Sequence, residues 1–256
     1  MYFKTNDISL YYEKYGTSQD TILILPGWGN NRTTFFNIIN YFKDSYSIYI
    51  IDYPGFGNSP IPQKDLTIYD YAILIKKFIK MEIKTSPIII AHSFGGRIAT
   101  LLTGYYKEKI KKMIFIDVAP IKKKKTFRQF IREKTYKFLK KTLKIFPLLK
   151  REYYHQLLIK HFASNDYQNL PPGMHQTFKN IINCDLKNYL KSIESETLII
   201  WGEKDIDTPL KDAYKINKLI KDSALIIYPN APHFSYLTYP ELTNKIIKSY
   251  LTEKTP

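Results

Sequence analysis

Three residues far apart in the chain, Ser93, Asp205 and His233, are of the types that together carry out nucleophilic acyl transfer. Serine is a poor nucleophile near neutral pH until a histidine takes its proton. That imidazole in turn needs a carboxylate to hold its tautomer and balance its charged form. Each of the three stands just beyond a strand-like run: Ser93 in Ala91-His92-Ser93-Phe94-Gly95 after Ile88-Ile89-Ile90, Asp205 after Trp201-Gly202, and His233 in Asn230-Ala231-Pro232-His233. A small-x-Ser-x-Gly pattern alone also fits an ordinary turn serine. The strand before it, the helix pattern after it and the order Ser, Asp, His set this one apart. Ala91 and Gly95 are small where a strand doubling back into a helix leaves no room for bulk.

Of the five histidines, His155, His161 and His175 fall in a basic, strand-free stretch, and His92 adjoins the nucleophile on the turn itself. His233 is therefore the expected base. Asp207 and Asp117 are rival acids, but Asp205 sits immediately past the glycine turn. The negative oxygen of an acyl-transfer intermediate needs two N–H donors. Phe94, directly after the nucleophile, supplies one; Trp28, in Pro26-Gly27-Trp28-Gly29, supplies the other, because Gly27 lets the backbone come close. No metal is inferred, since the histidines show no ligand spacing with nearby carboxylates. Gly55-x-Gly57 lacks the surroundings of a nucleotide loop and reads as a tight turn.

Stepping these residues into place requires strands. Apolar runs at Thr21–Leu25, Tyr46–Asp52, Ile88–Ile90, Met113–Asp117, Thr197–Trp201 and Ala224–Tyr228 alternate with helical patterns such as Thr33–Phe42 and Ile68–Ile83, and Ile8–Tyr15 reads as a first strand or hairpin arm. This is the signature of an α/β fold with a largely parallel sheet, whose ligand site lies at the carboxyl ends of the strands. A chain of 256 residues with 44% hydrophobic residues and one cysteine, Cys184, has ample core and no intramolecular disulfide. The apolar runs are too short to span a bilayer, and the first residues lack a signal pattern, so the expected compartment is the cytoplasm.

Residues 121–185 break the alternation and read as an inserted helical cap, with 1–120 and 186–256 as the core. Much of the +16 formal charge is concentrated there: residues 121–150 hold twelve Lys or Arg and one Glu. Phe127, Phe130, Ile131, Phe138 and Leu139 interleave with the cations. The plain reading is a solvated helix. The sharper ones are contact with an anionic or carrier-linked substrate, or with a membrane surface. Nucleic-acid binding is not expected, since no reader motif accompanies the charge.

The order Pro26-Gly27-Trp28-Gly29, Asp52-Tyr53-Pro54-Gly55-Phe56-Gly57-Asn58-Ser59, Ala91 to Gly96, Gly202-x-x-Asp205 and Pro232-His233 resembles the α/β-hydrolase superfamily over nearly the whole chain. Within it the likeness is to the carboxylesterase branch that includes the pimeloyl-[acyl-carrier protein] methyl ester esterases. The resemblance implies an eight-stranded, mainly parallel sheet, a helical cap after the sixth strand, Ser93, Asp205 and His233 as nucleophile, acid and base, and no cofactor. Two departures stand out. Pro26 replaces a common His and donates no backbone hydrogen bond, and Ala91 replaces the first elbow glycine. A serine nucleophile argues against dehalogenation and epoxide opening, which use aspartate in relatives, and leaves perhydrolysis open. The expectation is a serine hydrolase acting on a small-molecule carboxylic ester. The alternatives are thioester or C–C bond cleavage by the same triad, or a receptor that keeps the fold and binds without turnover.

Overall fold

The computed structural model describes residues 1–5, 8–30, 32–123, 127–145, 148–162 and 165–252. Eight strands form one sheet in the order β1-β2-β4-β3-β5-β6-β7-β8. β1 (Tyr2–Lys4) and β2 (Ser9–Tyr15) pair antiparallel, β2 pairs antiparallel with β4 (Ser47–Asp52), and every further pairing is parallel, through β3 (Thr21–Leu25), β5 (Ile88–His92), β6 (Met113–Ile116), β7 (Thr197–Gly202) and β8 (Ser223–Tyr228).

The inner strands are buried on both faces, which is why they read as unbroken apolar runs. Their side chains alternate between two cores with the two-residue period of a strand. Leu23, Leu25, Ile89, Ala91, Phe115, Ile199 and Trp201 join one cluster, with α2 (Ile68–Phe78), α3 (Phe94–Thr100) and α9 (Leu210–Leu219). Ile22, Ile24, Ile90, Ile114, Ile116 and Ile200 join the other, with α1 (Phe36–Phe42) and α11 (Pro240–Thr252). Each fully buried Ile or Leu contributes on the order of 2 kcal/mol, so the sheet is a stiff platform for whatever its loops carry.

Local chemistry sets the element ends. Thr67 caps α2: its hydroxyl accepts from the Asp70 amide while Asp70 accepts from the Thr67 amide at 2.7 Å, a reciprocal box. The helix expected over 68–83 is α2 followed by a wider π turn at Ile79–Ile83, which ends where Lys84 turns left-handed. The helix expected over 33–42 begins as a 3₁₀ turn, Arg32–Phe35, before α1. β1 escapes a periodicity reading because it is three residues long.

Between β6 and β7 the described residues hold helices and no strand: α4 (Phe127–Thr142), α5 (Leu148–Phe162), α6 (Asn165–Gln168), α7 (His175–Ile182) and α8 (Lys187–Leu190). Pro171-Pro172-Gly173, whose composition suits a break between helices, separates α6 from α7, with Gly173 at φ +86°. Lys124, Lys125 and Phe146 lie outside the described residues. The buried guanidinium of Arg97, on α3, donates to the carbonyls of Ala119, Ile181 and Cys184, tying both ends of this excursion to the core. Among the described residues no helix is long and apolar enough to cross a membrane.

The contact between β3 and α3 leaves no space at Gly95. A Cβ there would lie 2.0 Å from the Leu25 carbonyl oxygen, a backbone atom of a central strand. Gly95→Ala is therefore expected to destabilise the fold by about 3 kcal/mol. Thermal unfolding monitored by circular dichroism checks this, and an unchanged Tm would refute the close approach.

Candidate active site

Ser93 sits on the single residue that joins β5 to α3, at φ +46°, ψ −108°. A non-glycine side chain there is strained by roughly 1–3 kcal/mol. The conformation is held from both sides: the Ser93 amide donates to the Ile116 carbonyl at 3.2 Å, and its own carbonyl accepts from Gly96 at 3.1 Å and Ala119 at 3.0 Å. The turn thereby lifts the hydroxyl above the carboxyl end of the sheet.

The hydroxyl meets His233 there. Ser93 Oγ lies 2.9 Å from His233 Nε2, and His233 Nδ1 lies 2.7 Å from Asp205 Oδ2. A carboxylate only accepts, so Nδ1 carries the proton and Nε2 is left to accept from the serine. The Asp205 and His233 loops are pressed together at Gly202, where a Cβ would fall 2.4 Å from the Pro232 carbonyl oxygen. The structure thus brings together all three residues expected from the sequence.

Electrostatics follow from the surroundings. Burial alone would lower the proton affinity of His233. The bond to Asp205, with the charges of Asp205, Asp117 and Asp207, outweighs it and raises the pKa above the ordinary 6.5. Burial would raise Asp205, but its bonds to His233 and to Thr208 bring it below the usual carboxylate range.

The rival acids resolve into other roles. Asp117, fully buried, accepts from the Gly202 amide at 2.8 Å, the Ser235 amide at 3.1 Å and the Ser235 hydroxyl at 2.6 Å, bracing the ends of β6 and β7 against the stretch after His233. Burial pushes it up to about 7, against those donors. Asp207 is exposed, and its amide donates to Asp205 at 2.7 Å. Asp205, Asp207 and His233 are close enough to suggest a cation site, but Asp205 Oδ2 and His233 Nδ1 are already committed to each other.

His92 is wholly buried. Its Nε2–H donates to the His233 backbone carbonyl at 3.0 Å, which anchors the loop bearing His233. Burial first, and the neighbouring His233 second, push its pKa down to about 3, so it stays neutral and keeps that donor. It also explains Gly27: a Cβ there would stand 2.8 Å from His92 Nδ1. Of the remaining histidines, His161 is exposed, His175 packs edge-on against Tyr167 and His155 is half-buried in α5.

Phe94 is the first residue of α3, where amides have no partner inside the helix. Trp28 follows the adjacent strand, β3, which pairs with β5 through Leu25 and Ala91. The rings of Trp28 and Phe94 touch edge-on at 5.0 Å, so the two expected donor residues are neighbours. Trp28 also packs on Phe56 and Phe178, and with Leu170 and Met174 these form an apolar cluster that the ring of Phe94, the residue after Ser93, meets through Trp28.

Thr208 was not expected from the sequence. Its hydroxyl donates to Asp205 Oδ2 at 2.5 Å and its amide to Asp205 Oδ1 at 2.8 Å. The signal was present as Asp205-x-x-Thr208, the spacing of a side-chain-closed turn. Thr208→Val keeps the shape and removes one hydrogen bond to a charge, a cost of about 1.5–3 kcal/mol. We expect kcat/KM on a soluble ester to drop about tenfold. Wild-type kinetics in that variant would mean the hydroxyl does not help to hold the carboxylate.

The chain belongs to the alpha/beta hydrolase fold family, a family of hydrolase enzymes, whose model matches residues 20–240. Among its relatives it is 27% identical to the pimeloyl-[acyl-carrier protein] methyl ester esterase of Wigglesworthia glossinidia brevipalpis, over 94% of this chain and 97% of that one. It is 22% identical to a 2-hydroxy-6-oxononadienedioate/2-hydroxy-6-oxononatrienedioate hydrolase of Pseudomonas putida, over 96% of this chain and 93% of that one. A solved structure of MGS-M2, an alpha/beta hydrolase enzyme from a Medee basin deep-sea metagenome library, superposes with a TM-score of 0.77 at 19% identity, covering 100% of this chain and 98% of that one.

Proposed function

We propose that the protein is a carboxylesterase that works through an acyl-enzyme on Ser93. The observation that carries this reading is the hydrogen-bonded line from Ser93 Oγ through His233 to Asp205, 2.9 Å and 2.7 Å long. Ser93 Oγ attacks the ester carbonyl carbon while its proton passes to His233 Nε2. The oxygen that becomes negative is received by the amides of Phe94 and Trp28. As the C–O bond breaks, His233 returns the proton to the leaving alcohol. Water, deprotonated by the same imidazole, then releases the acid and restores Ser93.

The apolar cluster of Trp28, Phe56 and Phe178 against Phe94 suits a small or medium acyl group. The helical stretch within 121–185 is the cap that closes over it, on a core of 1–120 and 186–256. The Wigglesworthia relative favours a methyl ester, free or carrier-linked. The Pseudomonas putida relative favours a second reading, C–C bond hydrolysis of a dienoic acid by the same triad.

Rates across p-nitrophenyl esters of rising chain length, alongside methyl esters and a 2-hydroxy-6-oxodienoate, test the proposal. Ester turnover with an optimum at short to medium chains is expected. Faster cleavage of the dienoate than of any ester would favour the second reading. Ligand binding with no turnover anywhere in the panel would overturn both.

A further inference from the structure

We propose that the helical stretch between β6 and β7 docks the protein on an anionic lipid surface through an outward ridge of α4, a property separate from the reaction above. At about 100° per residue, Phe127, Ile131, Lys134, Phe138 and Lys141 fall within about 40° of a common line on α4. The opposite side carries Tyr136, Leu139 and, just past the helix end, Leu143. These inward residues have partners in the fold: Leu143 is buried, the Tyr136 ring lies 6.0 Å from that of Phe162 on α5, and Arg132 stacks on Phe162 and donates to the His161 carbonyl. The packing of α4 is therefore met from one side, yet the other side is apolar as well.

On that outward side Phe127 is 78% exposed, Ile131 48% and Phe138 66%, and Ile145, in the 3₁₀ turn that continues the helix, is 84% exposed. Leaving large apolar side chains in line on open surface is costly for a fold that does not need them there. On α5, Tyr153 and Leu157 are exposed too, with the exposed Lys160 on the same side.

The charge around the ridge selects the occupant. Lys134, Lys137 and Lys141 are exposed on or beside that side of α4, within the stretch of twelve cations and one Glu. On the described residues of α4 this is a line of aromatic and aliphatic side chains flanked by lysines. It matches a headgroup layer: the apolar tips enter to the acyl boundary, and the ammonium groups stay level with phosphates. Because each lysine near an anionic bilayer adds to binding and salt screens the attraction, affinity must depend on lipid charge and ionic strength.

Flotation of the full chain with vesicles of phosphatidylcholine, or of equal parts phosphatidylcholine and phosphatidylglycerol, tests this. We expect at least about tenfold stronger binding to the anionic vesicles at low salt, lost at high salt. Phe127→Ser/Phe138→Ser/Ile145→Ser and, separately, Lys134→Gln/Lys137→Gln/Lys141→Gln should each weaken that binding about tenfold. Melting curves and turnover of a soluble ester should stay as in the wild type, because these side chains are exposed and outside the site. Equal binding to neutral and anionic vesicles, no binding to either, or binding untouched by both sets would overturn the proposal. So would a dimer in light scattering that the Phe127/Phe138/Ile145 set dissolves without any effect on vesicles, which would assign the ridge to a second copy of the chain.

Discussion

Ser93→Ala is expected to lower kcat on any ester substrate by roughly six orders of magnitude, the scale seen when a serine nucleophile is removed from an established triad. No other group in the site can form the acyl-enzyme, so labelling by a fluorophosphonate should vanish as well. The fold should survive, because the hydroxyl's hydrogen bond is to His233 and the turn is held by backbone bonds to Ile116, Gly96 and Ala119. Mass spectrometry of the labelled protein and steady-state rates give the two readings. Retained turnover in a folded Ser93→Ala protein would remove Ser93 from the mechanism, and with it the acyl-enzyme.

Asp205→Asn is expected to cost about four orders of magnitude in kcat, by analogy with the same change in a serine protease triad. The amide can donate to His233 Nδ1 and so favour the wrong tautomer. The pH dependence sharpens the test. His233 acts as a base only when neutral, so wild-type activity should fall as pH drops through a pKa raised above 6.5. With Asp205 neutralised, its bond and its charge, the first two causes of the rise, are gone and only Asp117 and Asp207 remain to oppose burial, so the acid limb should move to lower pH. An unmoved limb would mean another group sets it. Stability runs the other way. The raised His233 value means its ion pair with Asp205 supports the fold fully below about 6.5, and that support fades as pH climbs through the shifted value. Asp205, held below its ordinary 3.8, contributes above that value and loses its contribution as pH falls through the lowered one.

The parts of this molecule legible in the sequence are those with a repeating or local cause. Strands such as Ile22–Leu25 and Ile88–Ala91 are buried on both faces, so burial alone dictates their composition. Ser93, Asp205 and His233 are legible because each lies within a few residues of a strand's carboxyl end, and the topology gathers strand ends. What stayed hidden depends on contacts across the chain. Thr208 matters because its hydroxyl points back at Asp205, and His92 because it reaches a backbone carbonyl 141 residues away. Asp117 was weighed as an acid, yet its two oxygens are occupied by Gly202 and Ser235, which no spacing rule reveals. The basic, aromatic stretch was legible as composition. That one side of α4 turns Phe127 and Phe138 to the outside, while the other packs on α5, is a matter of helical facing.

Ser93 and His233 stand 140 residues apart in the chain, and 28 more separate His233 from Asp205 on the way back. Their meeting needs the edge strand β8 in place, since the His233 loop hangs from its end. The Ser93–His233–Asp205 line is thus among the last long-range closures available to the chain, and contacts of such separation form slowly. Regain of turnover after dilution from denaturant would report completion of the whole sheet rather than collapse of its centre, and a fragment truncated before β8 would own a nucleophile with nothing to activate it.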